Sequence, residues 1–179
     1  KKAYETNTLV FGLSNFPPTD LNSTVLLTIA ENQPVGTVVG EFNATDPDAN
    51  ATLTYQFVNG AGDGNNALFT LETNGTLKSA TAFDFESNAS TYSIRVQAKD
   101  EYNASMENTF TVTLTDVNDA PTGAVTITGT PEVGQTLTVD VSALADPDGL
   151  GAVTHQWYRD GVPIGGATNA TYVLTAADL

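Results

Sequence analysis

Cysteine is absent from the 179 residues, which excludes disulfides, zinc–thiolate sites and thiol nucleophiles. Basic side chains are scarce: 6 Lys and Arg stand against 21 Asp and Glu, for a formal net charge of −15. That imbalance argues against nucleic acid and anionic membrane surfaces as partners, and it favours solubility and cation binding. No apolar run approaches the roughly 20 residues a membrane-spanning helix needs, so direct membrane insertion is not expected. One histidine, and no serine near a base, leave nothing for nucleophilic or acid–base work. An enzyme is therefore not expected. No secretion signal is visible at Lys1-Lys2-Ala3-Tyr4, and the chain stops in mid-pattern at Ala177-Asp178-Leu179. It reads as a piece of a longer protein.

What is present is apolar enough to fold. With 40% hydrophobic and 8% aromatic residues, the chain can build packed cores, and its length suits one and a half to two domains. Alternation with a period of two dominates, broken every eight to twelve residues or so by turn chemistry. Val25, Leu26, Leu27, Thr28 and Ile29 form one expected strand. Leu53, Tyr55 and Phe57 point one way in another; Tyr92, Ile94, Val96 and Ala98 share a face, as do Phe110, Val112 and Leu114. Asp46-Pro47-Asp48, the Gly- and Asn-rich run 59–66 and Asn74-Gly75 punctuate them. No stretch carries a 3.6-residue period. The expected fold is all-β, an antiparallel sandwich of Greek-key type.

A second unit begins after Pro121. Val125 and Ile127 open its expected core, followed by Leu137, Val139, Val141, Val153, His155, Trp157, Ile164, Tyr172 and Leu174. A lone Trp in a mid-domain strand, followed by the turn Arg159-Asp160-Gly161, fits the buried tryptophan of an immunoglobulin-like sandwich. His155 shares its face and is expected to pack in the core rather than bind a ligand. Residues 122–179 are short for such a domain, so this sandwich is expected to be truncated and to leave an open edge. The units echo each other, Asp46-Pro47-Asp48 recurring as Asp146-Pro147-Asp148, which points to tandem repetition of one module. The expected division is 1–19 as a linker or the end of a preceding repeat, 20–121 as one domain and 122–179 as a partial one.

Acids crowd the joint. In residues 113–122 a strand pattern breaks into Asp116, Asn118 and Asp119 before Pro121, and the nearest preceding bases are Arg95 and Lys99. Asp and Asn are good turn formers in their own right, bonding nearby backbone N–H groups. Turn chemistry alone is thus one reading of any single motif. Carboxylates gathered at ~4 Å would repel by roughly 1 kcal/mol per pair even in water, and a hard divalent cation removes that cost. Ca²⁺ takes about six to eight oxygen ligands at ~2.3–2.6 Å from carboxylates, amides and carbonyls. EF-hand spacing is not found, and Gly60-Ala61-Gly62-Asp63-Gly64 occurs once, unlike a nonapeptide array.

The landmarks of residues 22–121 come in a specific order: Ala30-Glu31-Asn32, Gly36-Thr37, Asp46-Pro47-Asp48, Tyr55, Phe69-Thr70-Leu71, Gly75-Thr76-Leu77, Phe83-Asp84-Phe85-Glu86, the run 92–100 ending in Lys99-Asp100, and Asp116-Val117-Asn118-Asp119-Ala120-Pro121. In that order they resemble a cadherin repeat, the shortened closing motif being similar to bacterial cadherin-like repeats. Residues 123–179 resemble an immunoglobulin-like module of large bacterial surface proteins, through Gly134-Gln135-Thr136-Leu137, Gln156-Trp157 and Asp160-Gly161. The resemblance implies Ca²⁺ between consecutive repeats. It carries a lower half-cage onto Glu31, Asp84, Glu86 and Asp119, with the Asn118 amide and the Val117 and Ala120 carbonyls, and an upper half onto Asp146 and Asp148. Asp116 either joins the cage or caps the linker. A second, weaker site would use Asp46, Asp48 and Asp100, with Asn15 as the one plausible ligand from the acid-free stretch 12–17.

The implied function is a calcium-rigidified adhesion and structural module of a large extracellular or cell-surface protein, its partners the neighbouring repeats. Two alternatives stand beside it. One is binding of cell-surface polysaccharide, for which Tyr4, Tyr102 and Tyr158 are candidate platforms. The other is homophilic self-association. Seven Asn-x-Ser/Thr triplets, at Asn22, Asn43, Asn50, Asn74, Asn88, Asn103 and Asn169, are expected by chance in an Asn- and Thr-rich chain rather than as glycan sites.

Overall fold

Strands form where apolar side chains alternate with polar ones, and the computed structural model, which describes residues 14–179, follows that rule closely in its first unit. The chain divides between Val117 and Asn118. The first unit carries β1 (Thr19–Ser23), β2 (Thr28–Ala30), β3 (Val38–Thr45), β4 (Thr54–Phe57), β5 (Phe69–Leu71), β6 (Thr76–Ser79), β7 (Thr91–Lys99) and β8 (Ser105–Thr115). One sheet has the order β1-β3-β6-β5 and the other β2-β8-β7-β4. Every pairing is antiparallel except β2 with β8, which runs parallel. Single 3-10 turn 66–68 aside, nothing helical is described, and no described helix is long and apolar enough to cross a membrane.

Side chains of β7 show the period of two directly. Tyr92, Ile94, Val96 and Ala98 all point inward and are buried, because successive residues of a pleated strand face opposite sides. They pack against Val112 and Leu114 of β8 and, across the sandwich, with Leu21, Phe42, Phe69, Leu77 and Phe83. Phe83 and Tyr92 stack tilted with ring centroids 4.8 Å apart, and Phe69 joins both. Gly75 closes the β5–β6 turn at φ +99°, where an added Cβ would sit 2.5 Å from the Phe42 carbonyl oxygen. The expected strand 25–29 is shorter than its sequence suggests: it begins at Thr28, and Leu26 is 80% exposed.

In the second unit β10 (Thr136–Asp140) pairs on one side with β9 (Thr126–Thr128) and on the other with β13 (Thr171–Val173). A hairpin of β11 (Tyr158–Arg159) and β12 (Val162–Pro163) turns through Asp160 and Gly161, both at positive φ as a two-residue hairpin loop requires. Trp157 and Leu174 are the buried apolar side chains here among the described residues. Trp157 stacks on Tyr172 at 5.5 Å, and its Nε1 donates to the Asn169 carbonyl. His155 is half-buried beside it, as its shared face implies. Val125 and Ile127, expected in the core, are 55% and 58% exposed. Ile127 lies in β9, the edge strand of a three-stranded sheet, and Val125 just before it; both line an open cavity with residues 154–158.

Candidate functional site

The parallel pairing of β2 and β8 sets Ala30 beside Thr115, so the residues that follow each strand, Glu31 and Asp116, emerge side by side. The Glu31 N–H donates to the Thr115 carbonyl at 3.0 Å and fixes that register one step further. A third carboxylate arrives from the loop after β6. Phe83 is buried in the core and its carbonyl accepts the Asn32 N–H, which draws residues 83–86 against the end of β2. Carboxylate oxygens of Glu31, Glu86 and Asp116 consequently lie within 4.8 Å of one another, Glu31 buried and the other two exposed.

Glu31 is 0% exposed, an expensive place for a carboxylate unless its oxygens are satisfied. They are. The Val117 N–H donates to Oε1 at 2.8 Å and the Phe85 N–H to Oε2 at 2.6 Å. Neither donor had a signal in the sequence, since any residue type supplies a backbone N–H. Asp84 Oδ1 accepts the Ser87 N–H while the Asp84 N–H donates to Asn88 Oδ1, both within the turn 84–88. Asp116 stands in the trio.

The opposite end of this unit holds the other acids, because β7 runs antiparallel to β8. Asp100 follows β7 and is buried; its Oδ1 accepts the N–H groups of Tyr102 and Ala104, both at 2.9 Å, and its Oδ2 accepts Asn15 Nδ2 at 2.8 Å. Asp48 Oδ2 accepts the Phe16 N–H at 2.7 Å, and Asp46 Oδ1 accepts the Asp48 N–H. Asp46 Oδ2 is buried and has no hydrogen-bond partner among the described residues, an unbalanced position for a carboxylate oxygen without a cation. These bonds join Asn15 to Asp100 on one hand, and Asp48 to Asp46 and to the Phe16 backbone on the other.

Within the second unit the same construction recurs. The Asp119 N–H donates to Asp148 Oδ2 at 2.5 Å, the Asp148 N–H donates to Asp146 Oδ1 at 3.1 Å, and the Asn118 side chain donates to the Asp119 carbonyl. Ala120 follows the clamped Asp119 in the chain. Tyr4 and the other expected features of residues 1–13 lie outside the described residues.

The candidate ligand atoms named in these clusters are oxygens. That set suits a hard divalent cation, Ca²⁺ above others, which binds through carboxylates and carbonyls with tolerant geometry. The trio at the end of β2 and β8, and the unpartnered Asp46 oxygen, both fit such an ion.

Known proteins resemble part of this chain. The protocadherin-like wing polarity protein stan of Drosophila melanogaster is 34% identical over 116 residues, covering 60% of this chain and 3% of its own. Protocadherin gamma-C5 of Homo sapiens is 33% identical over 116 residues, covering 62% of this chain and 12% of its own. The chain therefore spans a small fraction of these relatives. The solution structure of the third cadherin domain from human protocadherin 7 is 25% identical, covers 64% of this chain and 98% of its own, and superposes with a TM-score of 0.47. Residues 26–115, half of the sequence, match the family model for the cadherin domain, and the chain belongs to the cadherin family.

Proposed function

We propose that this chain is a calcium-dependent adhesion segment in which ions at the joint between its two units stiffen the array. Cadherins are an adhesion family, calcium binding is typical of them, and their members work outside cells or at the cell surface. The observation that carries the reading to this chain is the trio Glu31, Glu86 and Asp116, with Glu31 buried and held by two backbone donors. In the proposal these three act with Asp84, Asp119, the Asn118 amide and the Val117 and Ala120 carbonyls from below, and with Asp146 and Asp148 from above. Calcium would supply charge neutralisation there, and the protein's part is to hold the oxygens ready. Asn15, Asp46, Asp48 and Asp100 form the second site, supported by the unpartnered Asp46 oxygen. Affinities on the order of 10⁻⁴–10⁻³ M suit extracellular calcium modules.

Small-angle X-ray scattering of the chain in calcium and in chelator tests the mechanism. A longer, stiffer particle is expected in calcium; identical dimensions in both would refute joint rigidification. Polysaccharide binding is a second reading, favoured by the exposure of Tyr102 (67%) and Tyr158 (61%). Tyr102 rims a shallow concavity with Asn15, Asp48 and Glu101. A glycan array with Tyr102→Ala as control separates that reading from adhesion, and sedimentation in calcium and in chelator tests self-association.

A further inference from the structure

We infer that residues 119–122 are an integral part of the module that follows them, and that the chain pivots between modules at one residue, Asn118. The repeating unit is then linker plus sandwich, rather than sandwich plus linker as the motif order suggests.

Four contacts anchor this segment to the second unit. Asp148 Oδ2 accepts the Asp119 N–H at 2.5 Å. Thr122 and Ala145 exchange both backbone bonds, at 2.7 and 3.0 Å. Gly123, at φ +95°, presses so close to the Ala143 carbonyl that an added Cβ would lie 1.9 Å from its oxygen. On the other side, Val117 belongs to the first unit, since its N–H is held by Glu31 Oε1 at 2.8 Å. Between the two carboxylate anchors only Asn118 is left, its side chain spent on the neighbouring Asp119 carbonyl. Division of the chain by compactness falls at the same place, between Val117 and Asn118.

The first unit repeats the arrangement. Phe16 N–H is held by Asp48 Oδ2, as Asp119 N–H is by Asp148, and Asp46 Oδ1 accepts the Asp48 N–H as Asp146 Oδ1 accepts that of Asp148. Three residues on from the clamped N–H, Thr19 pairs with Thr45, as Thr122 pairs with Ala145. The same spacing on both units marks a built-in element of the module. The side chain at the clamped position is free to differ, Phe16 in one case and Asp119 in the other, because the contact is made by its backbone.

These anchors need no metal ion, so the test is run in chelator, where its failure is distinct from failure of the calcium reading. Amide exchange and ¹⁵N relaxation are measured on the whole 179-residue chain. Asp119 and Thr122 are expected to be as ordered as the second unit, with exchange slowed roughly tenfold to a hundredfold, the scale of a hydrogen bond to a charged acceptor. Asn118 is expected to be the mobile residue. Asp148→Ala should release the Asp119 amide and leave that of Val117 protected; Glu31→Gln should weaken Val117 and leave Asp119 protected. Asp148→Asn keeps an acceptor oxygen and should retain part of the protection, which covers the case of an unfolded alanine variant. Uniform mobility across 116–122, or equal response of both amides to either substitution, overturns the inference.

Discussion

Glu31→Ala sets two effects of opposite sign against each other, and the structure decides between them. The carboxylate accepts two N–H groups at 2.6 and 2.8 Å from a position with no solvent contact. Hydrogen bonds to a buried charged acceptor contribute about 1.5–3 kcal/mol each, and the orphaned donors cost about 1–3 kcal/mol each. Over the two bonds the first range gives about 3–6 kcal/mol for removing the side chain; the second describes the same loss from the donors' side and is not added to it. Against this, Glu31 lies beside Glu86 and Asp116, and without a cation its removal relieves roughly 1 kcal/mol of repulsion per pair. The net expectation in chelator is a loss of about 1–4 kcal/mol, a large share of the ~5–15 kcal/mol of a typical domain. In calcium the repulsion is already cancelled, so the loss grows and the calcium-induced rise in melting temperature shrinks. The assay is urea and thermal unfolding followed by far-ultraviolet circular dichroism. Trp157 is the single tryptophan and sits in the second unit, so its fluorescence is an internal control that should not move. A variant within about 0.5 kcal/mol of the parent in chelator would refute the buried double acceptor. A full calcium response in the variant would refute Glu31 as a ligand.

Asp119→Ala should weaken calcium binding in calorimetry far more than Asp63→Ala, since Asp63 accepts the Gly60 N–H within its own loop; equal effects would overturn the ligand assignment. Asp178 accepts the Thr175 hydroxyl and N–H, Arg159 and the Tyr172 hydroxyl, and these bonds, those from Thr175 foremost, hold its carboxyl well below the usual carboxylate range. A depressed value in the folded state means stability that is complete above the ordinary pKa of about 4 and is lost as pH falls toward the folded value. Fluorescence-monitored melting of the second unit should thus drop steeply below about pH 4, and Asp178→Asn should melt lower at neutral pH with a flatter acid limb. A parallel pH profile for the variant would refute this. Gly75→Ala should destabilise the first unit by more than the ~1–2 kcal/mol of its left-handed backbone, because the new Cβ also meets the Phe42 carbonyl. Gly36→Ala, at φ +91° with open space around it, should cost only the backbone part. Equal losses in circular dichroism melts would contradict the close approach.

Much of the fold is legible residue by residue. Tyr92, Ile94, Val96 and Ala98 announce an inward face because a pleat alternates with a period of two, a property of neighbours in the chain. Asp160-Gly161 and Asn74-Gly75 announce turns because so few residue types tolerate positive φ. The excess of acids over bases, 21 against 6, is likewise legible from composition alone.

Tertiary structure decided the rest, because it turns on which distant segments meet. Glu31 reaches the amide of Val117 eighty-six positions away only because β2 and β8 pair in parallel. That pairing brings Asp116 beside Glu31 and Glu86. Val125 and Ile127 carry the right pattern for a core, yet at the sheet's edge they stay more than half exposed. The donors that hold the acids, at Phe16, Phe85, Val117 and Asp119, are backbone groups that every residue type shares, so no spelling of the chain marks them. Periodicity is local and the sequence carries it; the meeting of remote backbone and carboxylate is set by the packing of the whole sandwich.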